Sequence, residues 1–279
     1  MGEKNIIRRI ELTPIHVPFK EQVRKAMSSS ERGVGMAIPV DEEWLGGDFV
    51  ICKLIDDQGN EGIGESFVWL PETGVSPDQI IDSIEKALSR YVLGESPFNI
   101  EKMLFKMDNN VSRNEVAKGL LDIACYDLMG VITHRPAHVF MGGKLVDEIP
   151  LCALIPMVDP ILMREIAKSY IKRGFKTVRL KLGESVENDR AVCEKIRDAV
   201  GFDIRIRVDY NQAYTPDRAV QAIDAIEPFQ IDVAEQPVHK DDYMGMVYVQ
   251  DRVGIPLMSH EGCFSLKDLH YYLNADSPL

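Results

Sequence analysis

In the first half of the chain, apolar and polar residues alternate with period two over three segments. This alternation predicts β-strands at residues 6–19, 48–57 and 61–68. Gln58-Gly59-Asn60 lies between the last two segments and predicts a hairpin turn. Helical patterns follow at residues 76–93, 98–108 and 114–131, the first with Ser76 as N-cap and Pro77 in its first turn. This half therefore predicts a β-meander followed by helices, an α+β layer.

Residues 20–47 carry Ser and Gly clusters without a sustained period, and they predict a long loop. Loops longer than about 15 residues inside a compact domain are usually functional or disordered. Two interpretations stay open, a lid over a substrate and a segment without such a role. His16, Trp44 and Trp69 are candidate wall residues of a binding site, although packing is the more frequent role for each.

From Pro150 onward, strand patterns alternate with helical patterns. Strands are predicted at residues 150–157, 177–183, 204–209, 230–238 and 255–262. Helices are predicted at residues 159–173, 185–200, 216–226, 240–251 and 265–274. Five strand-helix units in succession predict a parallel sheet with right-handed crossovers.

Three acids share one position in this repeat. Asp209, Glu235 and Glu261 each fall where a predicted strand ends, and each is separated from the next by 26 residues. Lys181 ends the preceding strand, so the four side chains are expected at one edge of the sheet. Neighbouring carboxylates repel one another, and a bound hard cation removes that cost. Oxygen ligands favour Mg²⁺ or Mn²⁺ over zinc, whereas unrelated loop-capping acids are the alternative interpretation.

Composition and charge agree with a cation site. The 279-residue chain has 44 acidic and 32 basic residues, a formal net charge of −12, which argues against nucleic acid as a partner. Five cysteines without CxxC spacing predict free thiols in a reducing compartment. No apolar segment has membrane-spanning length, so we expect a soluble cytoplasmic protein without a membrane partner.

Several segments together resemble one protein family. They are VICKLIDDQGNEGIGES, ACYDLMGVITHRPAHVFMGG at residues 124–143, RLKLG, VDYNQAY, AEQPV and SHEGCFSLKDL. This set resembles the enolase superfamily in its mandelate racemase and muconate lactonizing enzyme branch. The resemblance implies an α/β protein with an N-terminal α+β capping domain at residues 1–138. A modified TIM (β/α) barrel, here incomplete with about five βα units, would then occupy residues 139–279.

The resemblance also implies roles for individual residues. Asp209, Glu235 and Glu261 become ligands of one Mg²⁺, with Mn²⁺ as the alternative ion, and Lys181 becomes the acid/base. The family's usual lysine-x-lysine pair is Arg179-x-Lys181 here. Arg179 cannot act as a base, but its charge would favour the neutral amine of Lys181, and it could contact a substrate carboxylate. His260 precedes Glu261 where many relatives have an Asp ligand, so His260 is the fallback candidate for the third ligand.

The implied function is abstraction of the proton α to a carboxylate by an isomerase or lyase, giving a metal-stabilised enediolate. Racemisation or epimerisation, cycloisomerisation and dehydration remain open, although Asn211 stands where many acid-sugar dehydratases have His. The implied partners are a small-molecule carboxylate and further copies of the chain in a homo-oligomer. A non-catalytic scaffold of the same fold is the alternative. Because a barrel of this type needs eight strands, we expect a longer parent protein and little turnover from this chain alone.

Overall fold

The computed structural model describes residues 5–21, 24 and 45–274. The described residues fold into two compact units, one formed by residues 5–19 together with Leu45–Asp147, the other containing residues 148–274. The first unit ends nine residues beyond the predicted domain boundary at residue 138. Most of the predicted loop at residues 20–47 lies outside the described residues.

The first unit contains an antiparallel sheet in the order β1-β2-β3. Its strands are β1 (Ile7–Pro18), β2 (Gly46–Asp56) and β3 (Glu61–Val68). Its helices are α1 (Leu70–Thr73), α2 (Pro77–Ser83), α3 (Ile100–Asn110) and α4 (Glu115–Thr133). The predicted meander and its helices are thereby confirmed, whereas the short α1 was not predicted.

Local interactions explain where these elements begin and turn. The Asp56 carboxylate accepts hydrogen bonds from the backbone N–H groups of Gln58 and Asn60 at 2.9 and 2.8 Å, which closes the predicted hairpin turn. Ser76 caps α2 and forms a capping box with Gln79. The helix predicted as far as residue 93 changes after Ser83 to a π-helical turn at Ile84–Leu88 and a 3₁₀ turn at Ser89–Tyr91.

The second unit contains a parallel sheet in the order β4-β5-β6-β7-β8. Its strands are β4 (Cys152–Ile155), β5 (Thr177–Lys181), β6 (Arg205–Asp209), β7 (Val233–Glu235) and β8 (Leu257–Met258). Its helices are α5 (Pro160–Lys172), α6 (Val186–Val200), α7 (Pro216–Ile226), α8 (Tyr243–Gln250) and α9 (Leu266–Asn274). The five predicted strand-helix units and the α/β class are confirmed.

Strands β5 and β6 each have an apolar face and a charged face. On β5, Val178 and Leu180 are buried in a core that also contains apolar residues of the helices. Successive side chains of a strand point to opposite faces, so Arg179 and Lys181 lie on the other face. The same alternation on β6 buries Ile206 and Val208 in the core and places Arg207 and Asp209 beside Arg179 and Lys181. Charged side chains of neighbouring strands are thereby collected on one face.

The end predicted for β8 is wrong, and this error changes the position of an acid. Asp209 and Glu235 are the last residues of β6 and β7, as predicted, but β8 ends at Met258 rather than near residue 262. The ladder pairs Asp209 with Glu235 and Glu235 with Met258, so Glu261 lies in a turn three residues beyond the matched level. Equal spacing in sequence therefore did not place the three acids at the same position in the strand register. None of the helices in the described part of the chain is both long and apolar enough to cross a membrane.

Candidate active site

Three adjacent parallel strands carry ionisable residues at their carboxyl ends. The register aligns Lys181 of β5 with Asp209 of β6, and Asp209 with Glu235 of β7. All three residues are buried, with Asp209 fully inaccessible. Charged groups are rarely buried unless they are paired, so their partners define what the site can do.

Arg179 connects two of the acids. Its Nη2 donates to Asp209 Oδ2 at 2.5 Å and also to Glu235 Oε1. Arg207, its neighbour on β6, places Nη2 3.3 Å from Glu235 Oε2. A buried carboxylate pair is thus neutralised by two guanidinium groups from the same face of the sheet.

The side-chain amide of Asn211 links Lys181 to Glu261. Lys181 Nζ donates to Asp209 Oδ2 at 2.5 Å and to Asn211 Oδ1. The Asn211 side chain donates in turn to Glu261 Oε1 at 2.8 Å, and its backbone N–H donates to Asp209 Oδ1 at 3.0 Å. The proposed acid/base and all three predicted acids therefore belong to one connected cluster.

His260 lies beside two of the acids. Its Nδ1 is 3.1 Å from Glu235 Oε1 and 3.4 Å from Glu261 Oε2. The ring is partly exposed, whereas both carboxylates are buried. In this arrangement His260 pairs with the acids.

Burial and these contacts act on the carboxyl groups in opposite directions. Burial raises the pKa of Asp209, although Lys181 and Arg179 oppose that rise. Burial also acts to raise the pKa of Glu235, but hydrogen bonds from His260 and Arg179 outweigh it, so the pKa is lowered. For Glu261, hydrogen bonds from His260 and Asn211 outweigh burial and lower the pKa to about 2.

The three acids provide part of what a divalent cation site requires. Asp209 Oδ2 and Glu235 Oε1 contact one nitrogen of Arg179, so two carboxylate oxygens point at a single positive charge, as ligands of a hard cation do. Glu261 does not share this point, because its Oε1 accepts from Asn211. Within residues 5–21, 24 and 45–274, no three His, Cys, Asp or Glu side chains form a ready metal-binding group.

Two contributors to the cluster were not predicted. Arg207 shares the face of Asp209 because residues two apart on a strand point the same way, so the alternation contained this signal. Asn211 was noted only as a departure from relatives with His. Its left-handed backbone, with φ 42°, turns its side chain between Lys181 and Glu261, and the sequence pattern alone does not reveal this.

Two family models match this chain. Residues 44–142 match the mandelate racemase/muconate lactonizing enzyme N-terminal domain, and residues 162–277 match the enolase C-terminal domain-like family. Curated relatives include the L-Ala-D/L-Glu epimerase of Bacillus subtilis, 32% identical over 262 residues, which cover 93% of this chain and 68% of that protein. The hydrophobic dipeptide epimerase of Enterococcus faecalis is 37% identical over 224 residues, which cover 79% of this chain. The match spans only 62% of that relative's own length.

Solved structures give the same picture. The dipeptide epimerase from Enterococcus faecalis V583, complexed with Mg and the dipeptide L-Leu-L-Tyr, superposes with a TM-score of 0.83 at 32% identity. That match covers 94% of this chain and 70% of the other. The order of an N-terminal α+β unit and a parallel βα unit is therefore shared with solved enzymes of this kind.

Proposed function

Since the chain belongs to the mandelate racemase/muconate lactonizing enzyme branch of the enolase superfamily, we propose that it removes the proton α to a carboxylate. The observation that carries the proposal is the lateral register of Lys181, Asp209 and Glu235 on three neighbouring strands. This register places an amine beside two acids whose oxygens converge on one positive charge.

We assign the proton transfer to Lys181. Its Nζ donates hydrogen bonds to Asp209 and Asn211. These use two of the three N–H donors of an ammonium group and leave the third for the substrate. Removal of a proton requires the neutral amine, whose lone pair accepts it. The contacts to Asp209 and Asn211 hold the nitrogen in one position, which is what a general base needs.

We further propose Asp209, Glu235 and Glu261 as ligands of one Mg²⁺, with Mn²⁺ as a substitute. A bound Mg²⁺ would supply positive charge to the carboxylate oxygens of the substrate as negative charge develops there. Arg179 must then release Asp209 and Glu235, and its guanidinium becomes available for a substrate carboxylate. Glu261 must turn away from Asn211.

The comparisons favour one reaction within this class. Relatives at 32–37% identity are a hydrophobic dipeptide epimerase, an N-succinyl-L-Arg/Lys racemase and L-Ala-D/L-Glu epimerases. A cis-3-hydroxy-L-proline dehydratase and a muconate cycloisomerase follow at 25–26%. We therefore propose epimerisation or racemisation of a dipeptide or N-acylated amino acid, with a homo-oligomer as the working assembly.

Solvent exchange at the α-carbon tests this proposal. Proton NMR in D₂O with dipeptides and N-succinyl amino acids should show a slow, Mg²⁺-dependent loss of the α-proton signal. Lys181→Ala and Asp209→Asn should each slow this loss by about 100-fold or more. Lys176→Ala, which removes an exposed lysine just before β5, is the matched control and should exchange normally.

Two outcomes would contradict parts of the proposal. Exchange that persists in Lys181→Ala would remove Lys181 from the reaction. Binding of Mg²⁺ without exchange in any of these substrates would favour the alternative, a non-catalytic scaffold of the same fold.

A further inference from the structure

Gln236 is a fully buried polar residue that follows the acid Glu235 at the end of β7. Its backbone has φ 36°, a left-handed conformation that costs a non-glycine residue free energy. Its backbone N–H donates to Met258 O at 2.9 Å, and its own carbonyl accepts from Gln212 N at 2.7 Å. The residue therefore joins the carboxyl ends of three strands.

The Gln236 side chain binds the turn that carries His260 and Glu261. Its Oε1 accepts hydrogen bonds from the backbone N–H groups of His260 and Gly262, at 2.9 and 3.1 Å. Its Nε2 donates to Val238 O at 3.1 Å. The acceptor and the donor of the amide are both used. The two backbone N–H groups bound by the acceptor belong to the residues that flank Glu261, and the Ser259 hydroxyl also donates to it at 3.5 Å.

The same turn is also closely packed at Gly262. A Cβ at Gly262 would lie 2.3 Å from the Tyr272 hydroxyl oxygen and 2.9 Å from Lys240 O. Glycine is therefore required where the turn passes α9. The turn is therefore bound by the Gln236 side chain and packed closely against Tyr272 and Lys240.

We propose that Gln236 is a positioning residue that fixes the Ser259–Gly262 turn and thereby places Glu261 at the carboxylate cluster. The amide suits this task because it accepts two N–H groups without adding a third negative charge beside Glu235 and Glu261. The role in cation binding rests on the proposed function, whereas the hold on the turn does not.

Gln236→Met tests the proposal, because it keeps the side-chain length and removes the acceptor. Titration calorimetry should show the Mg²⁺ dissociation constant rising about 10–100-fold, as for other residues that orient metal ligands. Amide hydrogen exchange in the metal-free protein should become about tenfold faster at His260 and Gly262.

Gln250→Met is the matched control. Gln250 Oε1 also accepts a backbone N–H, that of Leu257 at 2.7 Å, but at the start of β8 rather than in the turn beyond it. This variant should keep the wild-type Mg²⁺ affinity and the wild-type exchange at His260 and Gly262.

The outcomes separate this proposal from the proposed function. Unchanged exchange or unchanged affinity in Gln236→Met would overturn the positioning role. If the wild type binds no Mg²⁺, the metal assignment fails, while the exchange rates still decide whether Gln236 holds the turn. If Gln236→Met does not fold, Gln236→Glu keeps the acceptor and should protect both amides, and fast exchange there would overturn the proposal.

Discussion

At the scale of single residues, Asp189 is the buried acid with the clearest effect on stability. It lies on α6, where one carboxylate oxygen accepts from Gly183 N at 3.0 Å and the other from the Tyr214 hydroxyl at 2.6 Å. Burial raises the pKa of Asp189 to about 6, although these hydrogen bonds oppose the rise. The carboxyl thus ties the loop after β5 to the loop after β6.

The sign of the pH effect follows from the raised pKa. The folded state binds the proton more tightly than the unfolded state, so this stabilisation is full below about pH 4 and is lost as the pH rises through about 6. A shift of about two pKa units corresponds to about 3 kcal/mol. Asp189→Asn should therefore gain about 3 kcal/mol in unfolding free energy relative to the wild type between pH 4 and pH 7, measured by urea titration.

Asp217→Asn is the control for this measurement. Asp217 also accepts a tyrosine hydroxyl, that of Tyr248 at 2.8 Å, but its carboxylate is exposed. It should reproduce the wild-type dependence of stability on pH. A parallel offset of Asp189→Asn at every pH would show that the ionisation of Asp189 is not responsible.

At the scale of elements, the packing of α4 on β3 depends on glycine. A Cβ at Gly64 would lie 2.6 Å from Leu120 O and 3.0 Å from Ala124 N, both backbone atoms of the helix. Gly64→Ala must push the helix from the sheet, and we expect a loss of about 1–3 kcal/mol in unfolding free energy. Thermal and urea unfolding monitored by circular dichroism measure this loss.

Gly119→Ala on the same helix is the matched control. Apart from the helix's own backbone, no atom of the described residues lies within 4 Å of a Cβ at this position, so the alanine should stabilise the helix by up to about 1 kcal/mol. Equal losses in the two variants would contradict the close-packing explanation for Gly64.

The sequence predicted elements better than their ends. β6 ends at Asp209 as predicted, because the alternation stops there and polar residues begin. β5 and β7 end at Lys181 and Glu235, two and three residues before the predicted ends. β8 ends early because the Gln236 side chain, 24 residues away from His260 in sequence, takes the N–H groups of the following turn. A contact of this kind cannot be recognised from the local sequence pattern. The prediction therefore placed Glu261 correctly at the carboxyl edge of the sheet, but it wrongly aligned Glu261 with Glu235, which pairs with Met258.

At the scale of the whole molecule, the chain has two compact units, and its sequence pattern changes from meander to strand-helix repeats near Pro150. Each unit has its own buried core, one of them built by residues of β2 and α4 and the other by β5 and β6 with their helices. The charge network could not be predicted in the same way. Which oxygen Arg179 or Asn211 contacts depends on rotamers and on residues from other strands, and spacing carries no information about them.

A net charge of −12 makes cation binding a property to test on the whole molecule. Any divalent ion would reduce general repulsion, whereas a specific site stabilises the native state by RT ln(1 + [L]/Kd), about 2.7 kcal/mol at 100 times Kd. Mg²⁺ should therefore raise the melting temperature of the wild type beyond the effect of NaCl at equal ionic strength. Asp209→Asn should show only the ionic-strength effect, whatever its own starting stability. An equal response to Mg²⁺ in both proteins would assign the stabilisation to overall charge and would remove Asp209 from the proposed ligand set.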